Sequence, residues 1–239
     1  MSGGLRRVAA WGVHLLTASG AAAGVLAVLA SERGEAPRAL AWMAYTVAVD
    51  AIDGTLARGV GVKQVLPYVD GARLDDIVDY FTYVLVPALF LLHFALLPPA
   101  AAVPVALCPV LASAYGFSRT DAKTEDHYFT GFPSYWNVVA FYLYALGWRP
   151  WLNTAVVVGF SVAVFVPLRY VYPSRTRMLR PLTIGLGLAW GAAVLYALFR
   201  LATSGAAPRR LVLVSLAFPI YYGLLSAVLH RRRATSAPR

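Results

Sequence analysis

Six aspartates stand between Val49 and Tyr80, in the stretch VDAIDGTLARGVGVKQVLPYVDGARLDDIVDY. Asp50 and Asp53 are three residues apart, and Asp75 and Asp79 are four apart. Residues at those spacings share one face of a helix. If each pair rides its own helix, and a short connection joins the two helices, four carboxylates face one pocket. An ionised Asp inside hydrocarbon costs at least about 2.5 kcal/mol, and gathered like charges repel as well. A cation must therefore fill the pocket. The donors on offer are oxygens, because Cys108 is the sole cysteine and the four histidines are not clustered. That set favours a hard divalent ion, Mg²⁺ or Mn²⁺, which keeps water and a substrate phosphate in its shell.

The residues between the carboxylates fit a large polar ligand. Gly54 and Ala57 follow Asp50 on its own face, where lack of bulk admits close approach, and Gly71 lies one turn before Asp75. Arg58 supplies a planar, permanently charged donor for phosphate. Asp70 and Asp76 read as solvated or loop-ordering acids. His14, His93 and His230 sit in or at the end of apolar runs without partners at ligand spacing, and read as structural. Gly187 and Gly191 read as packing residues at a helix crossing, the usual role of small residues in membranes.

What positions these groups is a chain built for lipid. Of 239 residues, 59% are hydrophobic and only 13% charged, far from the balance of a soluble domain. The net charge of +10 is spread between apolar runs rather than gathered, which points to topology signals and anionic lipid heads, not nucleic acid. A helix needs roughly 20 apolar residues to cross the bilayer, and eight stretches meet or approach that length. They are Val8–Ala30, Ala39–Ala57, Asp76–Leu97, Ala100–Phe117, Pro133–Trp148, Leu152–Tyr170, Pro181–Leu201 and Leu211–His230. The first reads as an uncleaved span, and with no linker or repeat the chain reads as one domain. With alternating sides and a cytosolic N-terminus, fifteen of the 21 basic residues fall inside, as do Asp50, Asp53, Asp75 and Asp79. Both termini and the acidic pocket are expected on the cytosolic side.

The pattern resembles the CDP-alcohol phosphatidyltransferase family, whose signature is an Asp, two residues, Asp-Gly, two residues, Ala-Arg, a spacer, Gly, three residues, Asp, three residues, Asp. Here it reads Asp50, Asp53-Gly54, Ala57-Arg58, Gly71, Asp75 and Asp79, with every fixed position matched. Most members have eight spacer residues where this chain has twelve, Gly59 to Asp70. The longer spacer, and the stretches TDAKTEDHYFTGFPSYWNVVAFYL and YVYPSRT, resemble the family's bacterial phosphatidylcholine synthase branch. The resemblance implies an all-α membrane helix bundle in the bacterial inner membrane that condenses CDP-diacylglycerol with choline. By the same resemblance Asp50, Asp53, Asp75 and Asp79 hold one or two metals, Asp79 also acts as base, and Gly54, Ala57, Arg58 and Gly71 receive the CDP portion. A homodimer is implied as well.

An acceptor such as choline, a quaternary ammonium, offers no hydrogen-bond donor and is recognised by aromatic faces, often with a carboxylate nearby. The segment from Tyr115 to Tyr144 is dense in aromatics, with Tyr115, Tyr135 and Trp136 the expected cage members and Glu125 the nearby acid. The same density also fits an interfacial belt. Arg119 and Arg175 are placed to hold a lipid phosphate or to anchor helices at the headgroups. Other acceptors (serine, glycerol phosphate or inositol) fit the signature equally. A cation transporter would need polar residues recurring through several spans, which the remaining spans lack.

Overall fold

The computed structural model describes residues 3–121, 128–171 and 179–236. Helix α1 spans Gly3–Glu32 and turns back through Gly34 into α2, Ala36–Val60, which has Pro37 in its first turn. Proline suits that place because the first-turn N–H groups lack intrahelical partners. Gly61 ends α2 in the left-handed conformation, φ 73°, and its N–H bonds the Ala57 carbonyl at 3.0 Å. A single turn, α3 (Val62–Val65), leads on to α4, Gly71–Asp79. Asp70 caps α4, its Oδ1 accepting from the N–H groups of Ala72 and Arg73 at 3.2 Å each, in keeping with a loop-ordering acid.

Beyond Asp79 the helix does not stop. It widens into a π-helical turn, Tyr80–Leu85, and resumes as α5, Val86–His93, so that Gly71–His93 forms one apolar rod of 23 residues. The cause is Pro87. A proline inside a helix has no N–H to donate and its ring collides with the carbonyl four residues back, here that of Tyr83. The turn relaxes by one residue, and the Val86 N–H reaches the Phe81 carbonyl five residues back.

A 3₁₀ turn, Pro99–Ala101, opens α6 (Ala102–Ser118). Then come α7 (Trp136–Leu146), α8 (Pro150–Phe165), α9 (Arg180–Ser204), α10 (Arg209–Ser215) and α11 (Ala217–Ser236). The break between α10 and α11 follows from Pro219, which cannot donate to the Ser215 carbonyl four residues back and whose ring crowds it. Two three-residue strands, β1 (Tyr128–Thr130) and β2 (Arg169–Val171), pair antiparallel with Phe129 opposite Tyr170. Gly131, at φ 84°, lets this ribbon close on α8, since a Cβ there would run into the Val164 carbonyl.

The molecule is an all-α polytopic membrane bundle, and each of the eight expected spans corresponds to a helical segment. Five segments are long and apolar enough to cross a bilayer: Gly3–Glu32, Gly71–His93, Pro99–Ser118, Arg180–Ser204 and Arg209–Arg231. Among the remaining segments, α2 is long but carries Arg38, Asp50, Asp53 and Arg58, and α7 and α8 are shorter than their apolar runs predict. The main core joins α1, α2, the Gly71–His93 rod, α6, α7 and α8 around Phe90, Val84, Leu97, Trp136, Leu143 and Val157. Only 17% of the apolar window of α9 is buried, so its outer face is left to lipid.

Candidate metal centre

Three helices build the site. The second half of α2 carries Asp50 and Asp53 on one side of a small cleft, and α4 carries Asp75 and Asp79 on the other. The third wall is α1, through Thr17 and Gly20. Asp50, Asp75 and Asp79 each offer a carboxylate oxygen, and these oxygens lie within 4.8 Å of one another. Asp53 lines the same cleft but is more deeply buried, 6% exposed, and its Oδ2 accepts a 2.7 Å hydrogen bond from Thr17 Oγ1. Asp50 Oδ2 accepts from the Tyr83 hydroxyl at 2.8 Å.

The electrostatics decide what such a site holds. At 4.8 Å, two unit negative charges repel by about 3.5 kcal/mol for an effective dielectric of about 20, and three carboxylates make three such pairs. A divalent ion among them turns that repulsion into attraction. An all-oxygen, carboxylate-only donor set suits a hard cation. The acidic group can therefore hold a metal ion.

The glycines of the signature have distinct surroundings. A Cβ on Gly54 would come 3.3 Å from Nη1 of Arg58, whose Nη2 donates to Thr55 Oγ1 at 3.1 Å. A Cβ on Gly71 would come 3.0 Å from Cε1 of His14, so the closeness of α1 to the start of α4 depends on that missing atom. His14 is buried there, edge-on to Trp11. Ala57 packs with Val60 and Val65 against the small core of Ala10, Val13, Val62 and Leu66. Arg58 itself is exposed.

The expected aromatic cage is not brought together as three rings. Tyr135 adjoins the metal centre through Tyr83, with ring centroids 6.3 Å apart, and stands equally far from Tyr222. Trp136 faces the core instead: it is 2% exposed, packs edge-on to Phe132, and its Nε1 donates to Ser113 Oγ at 2.9 Å. Tyr115 lies on α6, stacked on Phe165 at 5.0 Å. Arg119 stands over the Tyr115 ring and grips Asp121 with two donors, Nε at 2.7 Å and Nη2 at 2.6 Å. That pairing raises the Arg119 pKa and holds the Asp121 carboxyl below its usual value. Glu125 and Arg175 lie outside the described residues. Of the two small residues expected at a helix crossing, Gly187 meets Phe218, whereas a Cβ on Gly191 would have nothing within 4 Å among the described residues.

Thr17 and Tyr83, which hold two of the carboxylates, belong to no part of the signature. Thr17 did leave a trace in the sequence. It precedes Gly20 and Gly24 on one face of α1, and the small-xxx-small pair marks a close helix crossing. A Cβ on Gly20 would lie 2.9 Å from Val78 Cγ1, and one on Gly24 2.6 Å from Phe81 Cε1.

Carboxylates converging in this order on a polytopic bundle are the arrangement that resemblance to the CDP-alcohol phosphatidyltransferases implies. No family model matches the chain. It is 48% identical over 168 residues to the phosphatidylcholine synthase of Legionella pneumophila, a match spanning 70% of this chain and 66% of that relative's length, just under two thirds. It is 38% identical over 186 residues to the phosphatidylcholine synthase of Pseudomonas aeruginosa, spanning 78% of each chain. With that of Bradyrhizobium diazoefficiens it shares 40% identity over 192 residues, or 80% of this chain and 72% of the relative. The chain belongs to the phosphatidylcholine synthase family.

Proposed function

We propose that this chain transfers the phosphatidyl group of CDP-diacylglycerol to the hydroxyl of choline, giving phosphatidylcholine and CMP. The observation that carries this is the convergence of Asp50, Asp75 and Asp79 from two helices within 4.8 Å, at signature spacing, in a chain whose relatives bear that name. Asp50, Asp75 and Asp79, with Asp53 beside them, would hold Mg²⁺ or Mn²⁺, which would supply positive charge to the pyrophosphate oxygens and the leaving CMP. Asp79 takes the proton of the choline hydroxyl as its oxygen attacks the lipid-linked phosphorus. The P–O bond to CMP breaks, and CMP leaves with the electron pair. Gly54 leaves room for the nucleotide and the exposed guanidinium of Arg58 meets its phosphates, whereas the missing side chain of Gly71 admits His14 of α1.

Tyr135 is the favoured ring for the quaternary ammonium, because it stands beside Tyr83 and so within one side chain of Asp50. The basic residues sort the site and both termini to the cytosolic face of a bacterial inner membrane. A single domain and a homodimer complete the reading, the latter by family resemblance alone.

The test is CMP release by purified protein from CDP-diacylglycerol with Mn²⁺ or Mg²⁺, with choline, with serine and with no acceptor. Choline-dependent release that chelation abolishes is the expected result. Equal turnover with serine would remove choline as the acceptor, and release unaffected by chelation would remove the metal.

A further inference from the structure

We infer that Tyr83 and Thr17 are positioning residues that set the metal affinity of the carboxylate cluster from outside it; this rests on the metal-site reading above. The outer partners of ligating carboxylates fix which oxygen lone pairs are left for the ion, and losing one typically weakens binding about 10–100-fold. Each hydroxyl here has one proton to give. The Tyr83 proton goes to Asp50 Oδ2 at 2.8 Å. Thr17 Oγ1 lies 2.7 Å from Asp53 Oδ2 and 3.3 Å from the Val13 carbonyl. The shorter contact to the charged acceptor takes its proton. In both α2 carboxylates the oxygen that the hydroxyl engages is Oδ2.

Both donors are delivered by local backbone features. Tyr83 lies on the π-helical turn that Pro87 forces directly after Asp79, and π turns concentrate at functional sites. Its side chain is 6% exposed, too deep for a phenol placed only for packing to leave its hydroxyl without an acceptor. Thr17 is one turn from Gly20, where α1 comes close enough that a Cβ would sit 2.9 Å from Val78. Thr17 stands next to this crossing of α1 with α4 and reaches across to Asp53 on α2. Each carboxylate of α2 thus has a hydroxyl donor that comes from another helix.

The test is Mn²⁺ binding to detergent-purified protein without substrate, read as loss of the free-ion electron paramagnetic resonance signal. Tyr83→Phe and Thr17→Val delete only the hydroxyls, and Thr17→Ser restores one. We expect each deletion to weaken Mn²⁺ binding about 10–100-fold, Thr17→Ser to bind as the parent does, and the elution volume on gel filtration to stay unchanged in all three. Parent-like affinity in both deletion variants overturns the inference, as does weakened binding that Thr17→Ser fails to restore. Should Tyr83→Phe fail to fold, the Thr17 pair decides the matter alone. If the parent protein itself binds no Mn²⁺, the metal-site reading fails instead, an outcome distinct from either.

Discussion

Asp79 has two assigned duties, and substitution separates them. Asparagine keeps an oxygen that can still face a cation but cannot accept the choline proton. Asp79→Asn is expected to lower kcat about 10²–10⁴-fold, the usual worth of a positioned base, while Mn²⁺ binding falls much less; a variant with full turnover would remove Asp79 as the base. Asp121 offers a contrasting carboxylate at the membrane surface. Arg119 lowers its pKa below the ordinary 3.8, so the pair's stabilising effect is fully present above that value and fades as pH falls through the lower folded one. Melting temperatures of the parent and Asp121→Asn should therefore differ by a constant, small offset from pH 5 to 8 and converge in stronger acid. An offset that changes near neutrality would show that another group controls this end of α6.

Among the elements, α1 is the one whose part the signature hides. Gly24→Leu places a side chain where Phe81 Cε1 already stands 2.6 Å from the first added carbon, and overpacking of this kind costs about 1–3 kcal/mol. We expect a lower melting temperature together with weaker Mn²⁺ binding, since Thr17 rides the same face; loss of stability with unchanged metal affinity would uncouple α1 from the site. The carboxylate face was readable in advance because Asp50, Asp53, Asp75 and Asp79 follow helical spacing. Tyr83 was not, because its approach to Asp50 depends on a turn widened by Pro87, and fixed periodicity assumes constant pitch. Hydropathy placed the spans well, but it overestimated the lengths of α7 and α8, where Ser134, Gly147 and strand β2 take residues from the apolar runs. The dense aromatic segment gave the right neighbourhood for Tyr135 but could not separate it from Trp136. The same amphipathic residue type serves core and surface, and only the Ser113 hydroxyl, 23 positions away, draws the indole inward.

At the scale of the molecule, a lipid-facing bundle gathers its acidic pocket where α1, α2 and α4 meet. Arg6 reaches the Val60 carbonyl at 3.4 Å, and Ala10 and Val13 pack on Val62 and Leu66, so the N-terminal end of α1 and the connection after α2 lie at one end of the bundle. A cysteine placed at Gly4 and one placed at Lys63 should accordingly be labelled from the same side of oriented membrane vesicles, and labelling from opposite sides would contradict the topology. The proposed catalysis depends on an ion held where the acidic faces of α2 and α4 converge. The most direct measurement is anomalous X-ray scattering from crystals of the protein grown with Mn²⁺ and CDP-diacylglycerol. The account predicts a manganese peak bounded by the carboxylates of Asp50, Asp75 and Asp79 and touching the pyrophosphate; those three side chains turned apart, with the manganese elsewhere, would contradict it.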